Sequence, residues 1–333
     1  MDGGFFKARF QNFPVQACMT VADEWQIRNY QNLPLYIMRS QMNTNDNFPT
    51  PLVDSGWLLR HLDGPGLRIL DCSVSIHHHG DGSYSFSSGR EAWQEGHIPG
   101  SIFVDVLEEL SDRNQSIPLM MPPIAEFARL MAERGVGNET RVVLYDRGNH
   151  AWAARVWWML RVCGFDQAAV LNGGWQKWQR ENLPVSTERL AYPKAKFNPR
   201  HRPSLMADRK EVLAAIDNPD ACLINALSPE AFSGKLQNQP RRGRIPGSRN
   251  VYCQWLVDAE TSEYLAPERL REFFEPTDAL SGKRVITYCG GGIAASSDAL
   301  ALTLLGVENV AVYDGSLSEW TLDPALPLET DPE

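Results

Sequence analysis

The chain has no uninterrupted apolar run near the roughly 18 residues that a membrane-crossing helix requires. Its N-terminus, MDGGFFKARFQNF, lacks the continuous apolar core of a secretory signal. No membrane anchor is expected, and a cytoplasmic, reducing setting is. Cysteine is scarce, with six residues at 18, 72, 163, 222, 253 and 289 and no CxxC pair. This spacing supports neither a disulfide framework nor a zinc site, so free thiols and no metal are expected. Positive charge is in deficit too: 32 Lys and Arg face 41 Asp and Glu, for a net charge of −9. That balance argues against a nucleic-acid surface. What is present is ordinary for a globular protein, 43% hydrophobic and 22% charged over 333 residues. The length is enough for two domains with cores of their own.

Self-comparison shows the chain written twice. GHIPGS at 96–101 returns as GRIPGS at 243–248, an offset of 147 (243 − 96). TRVVLY at 140–145 returns as KRVITY at 283–288, an offset of 143 (283 − 140). VLNGGWQKW at 170–178 returns as VYDGSLSEW at 312–320, an offset of 142 (312 − 170). The order is the same and the spacing nearly constant, so the chain reads as a duplication.

Each copy repeats one grammar. A short apolar run (LRILD, 67–71; ACLINA, 221–226) reads as a buried strand, then come an IPG turn and a second apolar segment. IAEFARLMAERG in the first copy has helical spacing, with Gly135 as its C-cap. Strand RVVLY or RVITY, helix AARVWWMLRVCG or AASSDALALTLLG, and strand AAVL or VAVY complete each copy. Strands alternating with helices predict an α/β fold: two tandem domains, each a mainly parallel sheet flanked by helices. The boundaries drawn are an unassigned extension (1–48), domain one (49–182), a Pro-rich extended linker (183–203) and domain two (204–330).

The second copy ends its RVITY strand with Cys289, then Gly290, Gly291, Gly292, Ile293 and Ala294. A strand end opening into a helix is where open α/β sheets bind ligands. The helix start offers unpaired N–H groups and a partial positive charge. Glycines let successive amides turn inward as an anion nest, an environment that favours the nucleophilic thiolate. The alternative is a tight turn with an inert cysteine. The first copy serves as a control: it has Asp146 followed by RGNHAW, without the glycine run. The turn itself therefore does not demand the glycines, and the loop reads as a site. Asp146 reads as a cap for the helix after it.

The duplicated IPG turn, the strand–Cys–loop and the DG(S)xxxW pattern resemble the two-domain rhodanese family over roughly residues 51–328. SDRNQSIPLMMP (111–122) and DRGNHAWAARVWWMLRVCGF (146–165) resemble its first domain. The resemblance implies thiosulfate or 3-mercaptopyruvate sulfurtransferase activity, with an inactive first domain packed on an active second one. It implies a persulfide on Cys289 held by the amides of 290–294, and a cyanide or thiol acceptor. No cofactor, nucleic acid or membrane is implied, and a monomer is expected. Thiosulfate-preferring relatives carry cations after the cysteine, where this chain has Gly290 and Gly291. That is closer to the CG(S/T)GVT loops of mercaptopyruvate enzymes, although the loop's hydroxyl falls at Gly291 and its threonine at Ala294. The family's Asp–His–Ser relay finds its histidine at His97, but Ser88 stands in place of its acid. One substrate arginine of the family falls at Ala231, and Arg241 or Arg242 is left to supply the other. Donor preference stays open at this point. So does the choice of Arg241, Arg242 and Arg244 between anion guidance and an ordinary solvated or structural cluster.

Three rival readings remain. A phosphatase or arsenate reductase of the Cdc25 kind shares the fold but needs a C-x5-R loop for its tetrahedral oxyanion. Position 295 is alanine and no arginine follows residue 284, so this reading is disfavoured. A non-catalytic binding module would make Cys289 dispensable, and a protein-fed sulfur carrier would use the same cysteine with another donor. The tract His77–His79 has no partner spaced to complete a metal site and reads as a loop coincidence. Trp157 and Trp158 read as core or domain interface, and Cys72, Cys163, Cys222 and Cys253 as structural.

Overall fold

The computed structural model describes residues 48, 50–80, 84–148, 150–237 and 239–332. Cys18 and the N-terminal extension before Phe48 lie outside them. The first repeat runs β1 (Leu52–Val53), α1 (Ser55–His61), β2 (Leu67–Asp71), β3 (Val74–His78), β4 (Tyr84–Ser88), α2 (Arg90–Glu95), β5 (Ser101–Phe103), α3 (Ile124–Glu133), β6 (Arg141–Tyr145), α4 (Ala151–Val162), β7 (Ala168–Leu171) and α5 (Gly174–Arg180). The second runs β8 (Met206–Ala207), α6 (Arg209–Ala215), β9 (Ala221–Asn225), α7 (Pro229–Ser233), β10 (Arg249–Asn250), a 3-10 turn (Cys253–Leu256), α8 (Pro267–Phe274), β11 (Arg284–Tyr288), α9 (Ile293–Leu304), β12 (Val310–Tyr313) and α10 (Ser316–Trp320).

Each repeat forms one five-stranded sheet, ordered β1-β7-β6-β2-β5 and β8-β12-β11-β9-β10. Every pairing within them is parallel. The two orders are the same order, so the duplication in sequence is a duplication in topology. The apolar runs in β2, β6, β9 and β11 follow from burial on both faces, as parallel sheets require.

The repeated motifs are bonded to one another, which explains why they recur together. Tyr145, at the end of β6, receives the Ile98 N–H at 3.4 Å and shares a hydrogen bond with Ser101 Oγ at 3.0 Å. Tyr288, at the end of β11, receives the Ile245 N–H at 3.1 Å and donates to Ser248 Oγ at 2.8 Å. Each RVxxY strand thus pins its own IPGS turn. Burial pushes the Tyr288 hydroxyl up to about 12, which keeps it a neutral donor. The repeated tryptophans close each repeat alike: Trp178 Nε1–H donates to Pro184 O at 2.8 Å and Trp320 Nε1–H to Pro327 O at 2.9 Å.

Some details differ from the expectation. Arg134, not Gly135, caps α3, and Gly135 follows it at φ +74°. The segment between β2 and α2 forms the antiparallel β3–β4 hairpin, which the second repeat lacks. Across it, His77 Nε2 hydrogen-bonds Ser87 Oγ at 2.7 Å and His79 Nε2 bonds Ser85 Oγ at 3.0 Å, so these side chains serve the hairpin. The linker has no helix before the 3-10 turn at Pro203, and it is packed on the first repeat: Tyr192 Oη donates to Gly100 O and the Arg200 N–H to Cys163 O.

Helix α4 lies against α9. Both are buried along most of their length, Trp157 and Trp158 included. A helix that is apolar on nearly every side needs cover on nearly every side, and each helix supplies it to the other. One continuous apolar cluster accordingly contains residues of both repeats, among them Val156, Leu160, Ala299 and Leu300. Residues 47–333 form one compact unit. Replacing Leu300 with alanine should therefore cost about 2–5 kcal/mol and lower one shared thermal transition; two separate transitions in calorimetry would show that the repeats fold independently.

Candidate active site

Cys289 is the first residue past β11 and is only 2% exposed. Its N–H donates to Ser316 Oγ at 3.1 Å, and its carbonyl accepts the Leu317 N–H at 3.0 Å. Gly290 O accepts the Ser318 N–H at 2.8 Å. The loop is thus tied to the start of α10, which explains why the DGS segment recurs with the strand. Ile293 and Ala294 open α9, where the first N–H groups have no partners within the helix and carry its positive end.

The three glycines are not equivalent. Gly292 caps α9 at φ +79°, and a Cβ there would meet Arg155 Nη1, Asp314 Oδ1 and Asp314 O at 2.9–3.0 Å. Only glycine fits. Neither Gly290 nor Gly291 has a positive φ. A Cβ on Gly291 would meet nothing nearer than Leu119 Cδ1 at 3.6 Å, and one on Gly290 only Gln239 Nε2 at 3.3 Å. The expectation that the turn does not demand the glycines thus holds for Gly290 and Gly291, which leave open space in the loop, and is corrected at Gly292, which makes the turn.

The first repeat shows what such a loop does. Asp146 Oδ1 accepts the N–H groups of Gly148 at 2.8 Å and His150 at 3.2 Å, and Oδ2 accepts that of Ala153 at 2.9 Å. With its longer loop, His150 takes the place of Gly292, at φ +66° against +79°. The Trp175 N–H bonds Asp146 O much as the Leu317 N–H bonds Cys289 O. The degenerate loop is an amide cradle that its own carboxylate fills, in keeping with the capping role read for Asp146.

The first repeat also covers the active loop. Leu119, at φ +65°, lies against Gly291, and Pro118 O is 3.9 Å from where a Gly291 Cβ would be. Arg155 of α4 holds this cover, donating from Nη2 to Leu119 O at 2.7 Å while its Nη1 pairs with Asp314 Oδ1 at 2.5 Å. Asp314 Oδ2 accepts the Met121 N–H at 2.8 Å. The arrangement is mirrored at the other loop, where Asn172 Oδ1 accepts the Tyr264 N–H at 2.8 Å.

The arginines expected to bind substrate are placed otherwise. Arg241 donates to the carbonyls of Trp320, Thr321, Asp323 and Leu326, which corrects it to a clamp on the chain after α10. Arg242 is exposed and bonds Gln237 Oε1 at 2.8 Å. Arg244 lies over the Phe232 ring and pairs with Asp331, a structural role. His97 cannot serve a relay as placed: its ring nitrogens bond Trp93 O at 2.7 Å and Glu188 O at 3.0 Å, while Ser88 Oγ donates to Asp105 at 2.6 Å. Sequence reasoning missed Gln239, Ser316, Leu119 and Arg155. Only Arg155 left a signal, as one charge inside the apolar AARVWWML. Burial pushes the Cys163 thiol up to about 12 and that of Cys222 up to about 11, which makes both poor nucleophiles.

Residues 54–181 and 208–323 both match the Rhodanese-like domain. The chain belongs to the rhodanese family. It is 34% identical over 284 residues to the 3-mercaptopyruvate sulfurtransferase of Escherichia coli K12, covering 84% of this chain and 98% of that protein. It is 34% identical over 280 residues to the thiosulfate sulfurtransferase of Cricetulus griseus, covering 81% and 91%. Its fold matches the crystal structure of SseA from Escherichia coli with a TM-score of 0.72 at 33% identity, over 80% of this chain and 98% of that one. The enzyme class, sulfurtransferase, follows from these matches. Among the described residues of this rhodanese, no helix is long and apolar enough to cross a membrane. Gly292→Ala should destabilise the protein by about 1–3 kcal/mol through forced backbone strain, whereas Gly291→Ala should keep the melting temperature within a degree or so of wild type and lower turnover; equal losses of stability would contradict the distinction drawn between them.

Proposed function

We propose that Cys289 carries sulfane sulfur as a persulfide between a small donor and a thiol or cyanide acceptor. In the first step the Cys289 thiolate attacks the donor's outer sulfur. An S–S bond forms at Sγ, and the bond from that sulfur to the rest of the donor breaks, releasing sulfite from thiosulfate or pyruvate from 3-mercaptopyruvate. In the second step the acceptor attacks the terminal sulfur, and the thiolate returns. Splitting the transfer in two is covalent catalysis. The amides of 290–294 and the start of α9 stabilise the anion formed in each step. Residues 49–182 act as scaffold and residues 204–330 carry the loop, in a cytoplasmic monomer.

The observation that carries this reading is the Asp146 carboxylate, held by amides of the equivalent loop. The counterparts of the His150 and Ala153 donors are the N–H groups of Gly292 and Ala295. A loop that cradles an anion in one repeat is suited to cradle a thiolate or persulfide in the other.

The surroundings of the loop favour 3-mercaptopyruvate over the thiosulfate dianion. The side chains nearest Gly290 and Gly291 are Gln239, Ser318 and Leu119, all neutral. Residues 285–333 contain no Lys or Arg, and the Arg155 charge is matched by Asp314. On incubation with 3-mercaptopyruvate, intact-mass spectrometry should show the protein gaining one sulfur atom, faster than with thiosulfate. The gain should be removed by cyanide and be absent in Cys289→Ser. Faster loading from thiosulfate would overturn the donor assignment alone, and no gain from either donor would favour the binding-module or protein-fed carrier reading.

A further inference from the structure

Two polar side chains lie buried close to the active loop with no role in the transfer just described. Asp298, in the second turn of α9, is fully buried, and neither of its carboxylate oxygens has a hydrogen-bond partner. Cys253, 6% exposed, opens the 3-10 turn that packs against α9. Its N–H donates to Ala226 O at 3.2 Å, and the Ala226 N–H donates to Tyr288 O at 2.9 Å, the residue before Cys289. Cys253 and Tyr288, the residue before Cys289, thus both bond Ala226, and the two cysteines lie in the same apolar cluster.

The first repeat shows that the fold does not require either group. Strand register aligns Asp71 with Phe103 and Asn225 with Asn250, which places Val106 opposite Cys253 in the comparison. Aligning Ala151 with Ile293 at the two helix starts places Val156 opposite Asp298. Both valines are buried. Where the inactive repeat has two valines, the active one has a thiol and an acid, an unpartnered buried carboxyl being costly unless something offsets it.

We propose that Cys253 is a resolving cysteine for the Cys289 persulfide, with Asp298 relaying its proton. The proposal rests on the persulfide reading above. When no acceptor arrives, the Cys253 sulfur attacks Cys289 Sγ, and its proton passes by way of the Asp298 carboxyl to the departing terminal sulfur. A Cys253–Cys289 disulfide forms, the S–S bond to the terminal sulfur breaks, and that sulfur leaves as hydrosulfide. The sulfane sulfur is reduced and the two cysteines are oxidised, so the step balances without any outside oxidant. A thiol reductant then restores both cysteines. Burial, and then the neighbouring charges of Asp298 and Cys289, push the Cys253 thiol up, which keeps it protonated at rest. Burial likewise raises Asp298 well above the usual carboxylate range, so its carboxyl rests protonated and gives up a proton as it takes that of Cys253.

The test uses the full chain loaded with 3-mercaptopyruvate or thiosulfate, freed of donor, and held without acceptor or reductant. Wild type should release hydrosulfide as its persulfide mass decays, and non-reducing peptide mapping should recover the linked Cys253 and Cys289 peptides. Cys253→Val, which copies the first repeat's own residue, should hold the persulfide at least tenfold longer and still transfer sulfur to cyanide at the wild-type rate. Asp298→Asn should slow the release while leaving Cys253 in place. A protein that never takes on sulfur from either donor overturns the persulfide reading and this inference with it. If the Cys253→Val protein loads and then loses its sulfur as fast as wild type, the inference alone is overturned.

Discussion

The carboxylate of Asp314 is where the two repeats meet at the cysteine loop. One oxygen pairs with Arg155 of the first repeat, and the other receives the Met121 N–H from the segment that covers the loop. Gly292, the turn that brings the chain from Cys289 into α9, is packed directly against this carboxylate and against Arg155. Removing either partner of a buried ion pair leaves a bare charge and typically costs about 3–5 kcal/mol. That penalty would fall on the turn, the cover and the domain contact together. The geometry of the loop is set in large part by a residue far away in sequence, on a helix of the first repeat.

Much of the architecture could be read from the sequence. The strands LRILD, RVVLY and RVITY and the helix at 124–133 lie where apolar spacing put them, because strands buried on both faces and amphipathic helices leave unambiguous patterns. The repeat gave the topology, and Cys289 with its loop stood out because the sister copy lacked it. What escaped was tertiary. Arg241 looked like an anion ligand because it is a cation beside GRIPG, but the carbonyls that hold it belong to residues 320–326. Gln239 and Leu119 carry no chemical signature, and only the folded chain brings them to the glycines. The β3–β4 hairpin was missed although VSIHH and YSFSS alternate apolar with polar residues, because the histidine tract reads as a loop.

The duplication shows how two loops can differ in their key residue while keeping one frame. Both loops keep the tyrosine-to-IPG bonds, the tie to the following NGG or DGS segment, and a residue at positive φ at the helix start. They differ in what the amides hold. In one, the Asp146 carboxyl fills the cradle from within; in the other, Cys289 stands at the same place with Gly290 and Gly291 open beside it. The substitution of an acid for a thiol changes the tenant and preserves the cradle.

The shared contact of α4 and α9 bears on how such a chain can change over generations. A half-length gene ending before residue 183 or starting after it would encode a sheet with one apolar helix bare to water, and the second half would carry its cysteine loop without Pro118 and Leu119 above it. The first half thus serves as wall and roof to the cysteine loop of the second.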